Sequence, residues 1–192
     1  MKHEERAERF RDNYSYLNSA LHNTFPNIDA PAGHMESVDL VPKPFAKRLL
    51  MLIVGTARQS LDWIVDHADG WVTYPRDLET QRGRIGLWRG TVERKSPDQF
   101  KSLTQSLFID LTDDPDSAAT PIFLGYRIGR IRLIEMLDEL KSMGVHHVIF
   151  NLRHSVRPAE EVMRELAVEV LQHFPSRPET GANANKNIEE TS

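Results

Sequence analysis

The sequence predicts an α/β fold in which strands and helices alternate around a mostly parallel sheet. Three observations carry that expectation. Leu49 to Val54 is an unbroken apolar run, the pattern of a strand buried on both faces of a parallel sheet. Leu61, Ile64, Val65 and Ala68 then fall at i, i+3, i+4 and i+7, one face of a helix. After the Asp69-Gly70 break, Trp71 to Tyr74 returns to β-favouring residues. The rest of the chain repeats this βα theme, with right-handed crossovers expected. Strands are expected at 49–54, 71–74, 101–110 and 146–151. A doubly wound sheet and part of a barrel both fit that count.

The elements follow in order. Ala7, Phe10, Tyr14, Leu17 and Leu21 recur at three and four residues, so Glu4 to Leu21 is a helix with one apolar stripe. No Ser, Thr, Asp or Asn cap precedes it, which is how a helix continued from an earlier segment would read. Asn23 to Pro44 is rich in Pro, Gly, Asn and Asp and reads as loop, with a short extended piece at Ser37 to Val41. Pro42 and Pro44 hold Lys43 extended between them. The segment Ala57 to His67 is the helix after the first strand. Asp77 caps a helix to about Lys95, with Leu78, Ile85 and Trp88 inward and Gln81, Arg84 and Arg89 in solvent. Phe100 to Leu111 is a strand, and Thr112 to Pro121 an acidic loop. A helix follows Gly125, its inner face made of Ile131, Ile134, Leu137, Leu140 and Met143, with Gly144 past its end. Val145 to Leu152 is a buried strand. Pro158 opens the last helix, lined by Val162, Leu166, Val170 and Phe174. From Pro175 the chain is polar and patternless, the composition of a disordered tail.

Bulk properties narrow the classes. The chain has 192 residues, ample for a domain with a true core. A net charge of −4 of mixed sign offers no basic surface for nucleic acid. With no cysteine, disulfides, thiolate metal sites and cysteine nucleophiles are excluded. The start, MKHEERAERF, lacks an apolar signal core, and no apolar run approaches the roughly 20 residues of a membrane span. These features suit a cytoplasmic protein.

The best candidate site is Gly55, Thr56, Ala57, Arg58 and Ser60. A glycine at the C-terminal end of a strand lets backbone approach a phosphate. A following helix offers free N–H groups and the positive end of its dipole. Thr56 and Ser60 add hydroxyls, and Arg58 adds charge. A plain turn with Thr56 as helix cap fits the same residues. Tyr74 and Arg76 end the next strand, and on a common rim they would face ligand; Arg76 paired with Asp77 or Glu79 is the alternative.

Other constellations carry less. His67 and Asp69 end a helix and make a turn, positions that structure alone explains. His146 and His147 must point to opposite faces of a strand, so they are not a metal pair. Asn151, Arg153 and His154 follow the last strand as rim or surface loop. Around Arg127, Arg130 and Arg132, GYRIGR lacks the third glycine and the acidic residue of a dinucleotide motif. Asp110 to Asp116 lacks EF-hand spacing. No metal site is expected.

The run PKPFAKRLLMLIVGTARQSLDWIVDHADGWVTYPRD, Pro42 to Asp77, resembles the later half of the luciferase-like flavin-dependent monooxygenases. That family shows a similar PKP, an apolar strand, a glycine-and-serine loop, a helix and then HADGW. GVHHVIFNL, Gly144 to Leu152, resembles its final barrel strand. The resemblance extends from the first helix to about Phe174. It implies a TIM barrel, of which about four βα units appear here: a partial barrel over residues 1–174, the C-terminal half, with the tail at 175–192. It implies that Gly55 to Ser60 holds the phosphate of FMN, or of a deazaflavin, and that Tyr74 and Arg76 stand on the catalytic rim. A small organic substrate and a flavin reductase are the implied partners. The early strands carry the family's oxygen- and substrate-handling residues, and no residue here matches them. A half-barrel leaves open edges and an uncovered apolar face, so a homo-oligomer or a separate N-terminal half is expected to complete it.

Overall fold

A computed structural model describes residues 5–46 and 48–175. Glu4 at the expected start of the first helix, and residues 176–192 of the expected tail, lie outside them. The elements are α1 (Glu5–His22), β1 (Ile28–Ala30), β2 (Gly33–Met35), β3 (Leu52–Val54), α2 (Leu61–His67), β4 (Gly70–Thr73), α3 (Leu78–Lys95) and β5 (Ser102–Leu111). They continue with β6 (Thr120–Ile122), β7 (Gly125–Ile128), α4 (Arg130–Met143), β8 (His147–Asn151) and α5 (Ala159–Glu165). The last helix runs on as a wider coil over Leu166–Val170 and tightens over Leu171–His173.

Strands β3, β4, β5 and β8 are mutually parallel in that spatial order. They form a curled half-barrel alternating with helices, a partial TIM barrel. The long strand β5 organises it. Thr104 and Gln105 pair with β4 on one side and β8 on the other. Phe108 pairs with both Asn151 of β8 and Gly125 of β7, so β7 follows β4 along the same edge of β5. The antiparallel β6–β7 hairpin thus extends the sheet at its C-terminal end.

Alternation of side chains divides the sheet into two unlike faces. Ile53, Trp71, Leu103, Leu107, Ile109 and Leu111 are buried on the convex face. They share one core with Ile64, Val65 and Ala68 of α2, Ile85 and Trp88 of α3, Leu133, Leu137 and Leu140 of α4, and Val162 and Val170 beyond. All helices contributing to this core therefore cover the convex face. The concave face has no such layer. Val54, Val72, Thr104 and His147 form one cross-strand row on it, by register. Leu52 is 40% exposed there, Val54 54% and Ile149 45%. Gly70 belongs to this face because a Cβ would lie 2.1 Å from Ser102 Oγ and 2.8 Å from Leu52 Cδ2.

Several expectations need correction. The first core strand starts at Leu52 rather than Leu49, and it is buried on one face only. The N–H of Leu49 donates to His22 Nε2 (3.1 Å) and that of Met51 to Asp69 Oδ2 (2.7 Å). Side chains thus take donors that a longer strand would have used. Strand β8 is likewise exposed at His147, Ile149 and Asn151. The segment Ser37 to Val41 is not a strand; the hairpin lies earlier, with Pro31 in its two-residue turn. Gly125 opens β7 rather than a helix, and α4 begins at Arg130. Its inner face is Leu133, Leu137, Leu140 and Met143, while Ile131 is exposed. In α3, Leu78 is exposed and Gln81 is buried, its Nε2 donating to Gln105 Oε1 at 2.6 Å.

Local chemistry explains the boundaries that agree. Asp77 Oδ1 accepts from the N–H of Thr80 at 2.9 Å and caps α3. Gly144 closes α4 with φ +105°, where an L side chain would be strained.

Candidate functional site

The C-terminal ends of the parallel strands meet at one rim, which brings Gly55, Tyr74, Arg76 and Asn151 to the same end of the half-barrel. Gly55 has φ +61°, and the nearest foreign atom to a Cβ placed there is Tyr74 Cε2, at 3.6 Å. Its N–H donates to the carbonyl of Val72 at 2.8 Å, anchoring the end of β3 to β4.

The next residues form a compact turn rather than the first turn of a helix. Ala57 (φ 46°) and Arg58 (φ 63°) are both left-handed. The N–H of Gln59 donates to the carbonyl of Thr56 at 2.7 Å, and that of Arg58 to Thr56 Oγ1 at 3.3 Å. The buried Gln59 side chain locks the turn from beneath. Its Nε2 donates to the carbonyls of Ala7 (2.9 Å) and Ala57 (3.0 Å), which ties the turn to α1. Ser60, not Thr56, is the helix cap: its Oγ accepts from the N–H of Trp63 at 3.1 Å. The helix expected from Ala57 therefore begins at Leu61, and it carries Asp62 in its first turn. Any anion here would be held by the turn and its neighbours rather than by the start of α2.

Trp71 links the turn to two arginines. The indole Nε1 of Trp71 donates to the carbonyl of Gly55. The guanidinium of Arg84 lies over the same indole, with Cζ 5.1 Å from the ring centroid. Its Nε is buried and has no acceptor among the described residues. Burial lowers the Arg84 pKa below its ordinary value, and the charge of Arg76 lowers it further. Neither arginine has a carboxylate within 4 Å among the described residues. The pairing of Arg76 with Asp77 or Glu79 is therefore not made; the Asp77 carboxylate caps α3 instead.

Other rim groups are spoken for. Asp110, on β5, accepts from the N–H of Val156 at 2.9 Å and faces Arg127 Nε at 3.4 Å. Asn151 Oδ1 accepts from the N–H of Arg153 at 2.9 Å. His154 joins Phe108 and Phe123 in an aromatic cluster, with centroids 5.3 and 6.2 Å away. Away from the rim, His67 stacks on Trp63 at 4.3 Å. Asp69 holds Arg48 at 2.7 Å and the N–H of Met51. His146 Nδ1 accepts from the N–H of Leu103 at 2.9 Å. Among the described residues, no three His, Asp or Glu side chains are grouped to hold a metal, and no helix is long and apolar enough to cross a membrane.

Arg84 and Gln59 are the residues that sequence reading passed over. Arg84 had a signal. Gln81, Arg84, Ile85 and Trp88 fall at i, i+3, i+4 and i+7, so the arginine belongs to the inward stripe of α3. Gln59 had none, because its partner in α1 is 52 residues away.

No protein-family model matches the chain, and no curated protein matches it in sequence. Its fold is similar to the crystal structure of the monooxygenase RslO1 from Streptomyces bottropensis. The TM-score is 0.69 at 13% identity, over 91% of this chain and 64% of that one. It is also similar to an F420-dependent secondary alcohol dehydrogenase in complex with an F420-acetone adduct. There the TM-score is 0.52 at 12% identity, over 75% of this chain and 55% of that one. This chain thus spans less than two thirds of either structure, and at such identities the likeness is one of fold. Over most of its length, the chain shares the fold of a monooxygenase and of an F420-dependent dehydrogenase.

Proposed function

We propose that the chain is the C-terminal part of a luciferase-like flavin-dependent oxidoreductase, with the turn Gly55 to Ser60 at the phosphate end of FMN or of a deazaflavin. One observation carries this reading. At the C-terminal rim of a parallel half-barrel, a left-handed glycine turn is joined through Trp71 to Arg84, which has Arg76 near it, and neither arginine has a carboxylate partner among the described residues. That donor set fits a phosphate. Gly55 lets backbone approach without a Cβ, the Thr56 and Ser60 hydroxyls offer hydrogens, and the arginines supply charge. A bound reduced flavin supplies electrons for inserting one oxygen atom of O2 into a small organic substrate; a deazaflavin supplies a hydride. This chain's part is to hold the phosphate, to set Tyr74 and the concave wall of Leu52, Val54 and Ile149 against the ligand, and to keep water from it. A flavin reductase in the cytoplasm is the electron source this reading requires.

The exposed concave face favours a second reading beside the first: the half-barrel alone is non-catalytic and is completed by further strands. These come either from a segment carrying the early βα units or from a second copy. An open strand edge on β3 and on β8 suits such pairing.

The test is a titration of the purified chain with FMN, following flavin absorbance and fluorescence, with the oligomeric mass measured alongside. The proposal expects FMN binding that is lost on changing Thr56 and Ser60 to Asp. A folded chain that binds no FMN, alone or with the early βα units supplied as a separate segment, would overturn it.

A further inference from the structure

We infer that Phe108, Phe123 and His154, at the C-terminal end of the concave face, form a binding site for a hydroxylated aromatic ring. The site goes beyond the flavin reading and does not need it, since the three rings stand together whether or not the turn Gly55 to Ser60 holds a phosphate. Within the proposed function, and resting on it, this ligand is the organic substrate.

The rings come from three segments. Phe108 lies on β5 in register with Asn151 and Gly125, and by alternation it faces the concave side as Thr104 does. Phe123 sits in the two-residue turn of the β6–β7 hairpin, and His154 follows β8. The Phe108 and His154 rings are tilted by 37°, and Phe123 stands at 71° and 79° to them. A flat ring laid in the angle between Phe123 and His154 meets one face to face and the other edge on. Those are the two arrangements that aromatic rings prefer. Phe123 is 70% exposed, and His154 is exposed as well. The His154 nitrogens have no hydrogen-bond partner among the described residues, so the imidazole can bond a ring hydroxyl.

Two features hold the rings in place at a cost. Two-residue hairpin turns are ordinarily made of Asn, Asp and Gly. Here the turn is Phe123-Leu124, and Leu124 is left-handed at φ 51°, a strained conformation for a residue with a Cβ. Its carbonyl accepts from the N–H of Phe108 at 3.0 Å, which fixes the turn beside that phenyl ring. Phe123 buries little in return, so packing alone does not account for a phenylalanine at this tip. The second feature is Asp110, 5% exposed and two residues past Phe108 on the same face of β5. Its Oδ1 accepts from the N–H of Val156, two residues past His154, and its Oδ2 faces Arg127 Nε on β7. One buried carboxylate thus braces both the hairpin that carries Phe123 and the loop that carries His154. Strand β5 lies two strand spacings, about 10 Å, from β3. A small ring here and an anion at Gly55 can therefore be held together.

The test is equilibrium dialysis of the full chain with 2-naphthol, naphthalene and decahydro-2-naphthol, which separate the ring, the hydroxyl and mere apolarity. The variants are Phe123→Leu, which keeps apolar bulk, with His154→Leu and His154→Gln. Circular dichroism and thermal melting check the fold. The expected result is 2-naphthol bound most tightly of the three. Phe123→Leu should weaken it roughly 3- to 10-fold, the loss of one aromatic pair, and leave decahydro-2-naphthol unchanged. His154→Leu should abolish the preference for 2-naphthol over naphthalene, and His154→Gln should keep part of it. If Phe123→Leu does not fold, the His154 variants, at an exposed position in another segment, carry the comparison. Equal binding of 2-naphthol and decahydro-2-naphthol, unchanged 2-naphthol binding in the folded variants, or none by the wild-type chain overturns the inference. Displacement of 2-naphthol by riboflavin also overturns it, because the rings then serve the flavin. Binding of 2-naphthol that persists at saturating FMN supports it. A chain that binds 2-naphthol at these rings but no FMN keeps the site and removes the flavin reading.

Discussion

The indole N–H of Trp71 donates to the carbonyl oxygen of Gly55, joining the middle of β4 to the turn that ends β3. One side chain thereby fixes the orientation of the glycine peptide from the core side. Removing only that donor should be readable. Trp71→Phe is expected to destabilise the chain by about 2–3 kcal/mol, from a buried carbonyl left unpaired and a smaller ring. Urea unfolding checks the magnitude. On the proposed function, FMN binding should fall more than stability alone accounts for.

Gly55→Ala separates strain from crowding. The nearest foreign atom is at ordinary contact distance, so the cost is the left-handed backbone, about 1–2 kcal/mol. Urea unfolding should show a shifted midpoint with an unchanged slope. A cost near zero would mean that the turn relaxes to another conformation.

Gln81 Nε2 donates a buried hydrogen bond of 2.6 Å to Gln105 Oε1, and Gln81 Oε1 has no partner among the described residues. Gln81→Met leaves the Gln105 carbonyl oxygen without its donor and should cost about 1–3 kcal/mol. The double change Gln81→Met with Gln105→Met should cost less than either single change. A double-mutant cycle by chemical denaturation gives the coupling.

The α3 cap sets a pH response. Hydrogen bonds from Thr80 hold the Asp77 carboxyl below its ordinary value of 3.8. The folded pKa is thus below the unfolded one, so the cap's contribution is complete above the ordinary Asp range and is lost as pH falls through the folded pKa. Asp39 and Asp62, held low by Lys43 and Arg94, act in the same direction. Thermal melts between about pH 5 and 2 should fall for the wild type. Asp77→Asn, which can still cap, should fall less steeply.

The two faces of β3 should answer differently to substitution. Ile53→Ala, on the convex side, is expected to cost about 2–5 kcal/mol. Val54→Lys, on the concave side one residue later, should change the stability of the isolated chain by no more than about 0.5 kcal/mol. Sedimentation would show whether the same change blocks association, which is expected if further strands cover this face.

Much of the fold was legible because local chemistry specifies it. The continuous apolar run before Gly55, the helical stripe Ile64, Val65 and Ala68, the Asp77 cap and the Gly144 terminator each depend on residues close in sequence. They placed all four parallel strands in order. Strand β7 was missed because GYRI has no alternation of its own; it is a strand through its pairing with Phe108 to Leu111. Close approach is required there, since a Cβ on Gly125 would lie 1.8 Å from the carbonyl oxygen of Phe108.

By itself, then, the sequence determined the alternation of elements, their order and the rim position of Gly55. Periodicity and capping act over a few residues and do not need the rest of the chain. Only the tertiary structure decided which face of each strand is covered, where the turn ends and which charges gather beside it. An apolar run reads the same whether one or both of its faces are buried, yet Val54 lies on the open side and Ile53 in the core. Thr56 is the cap that the residue pattern suggests, and Ser60 takes that place in the fold, where Gln59 ties the turn to Ala7. Spacing puts Arg84 on the inward stripe of α3, but only the fold shows that Trp71, thirteen positions earlier, lies beneath it. Those outcomes depend on contacts between distant segments, and such contacts exist only once the sheet has curled and the helices have packed on one side of it.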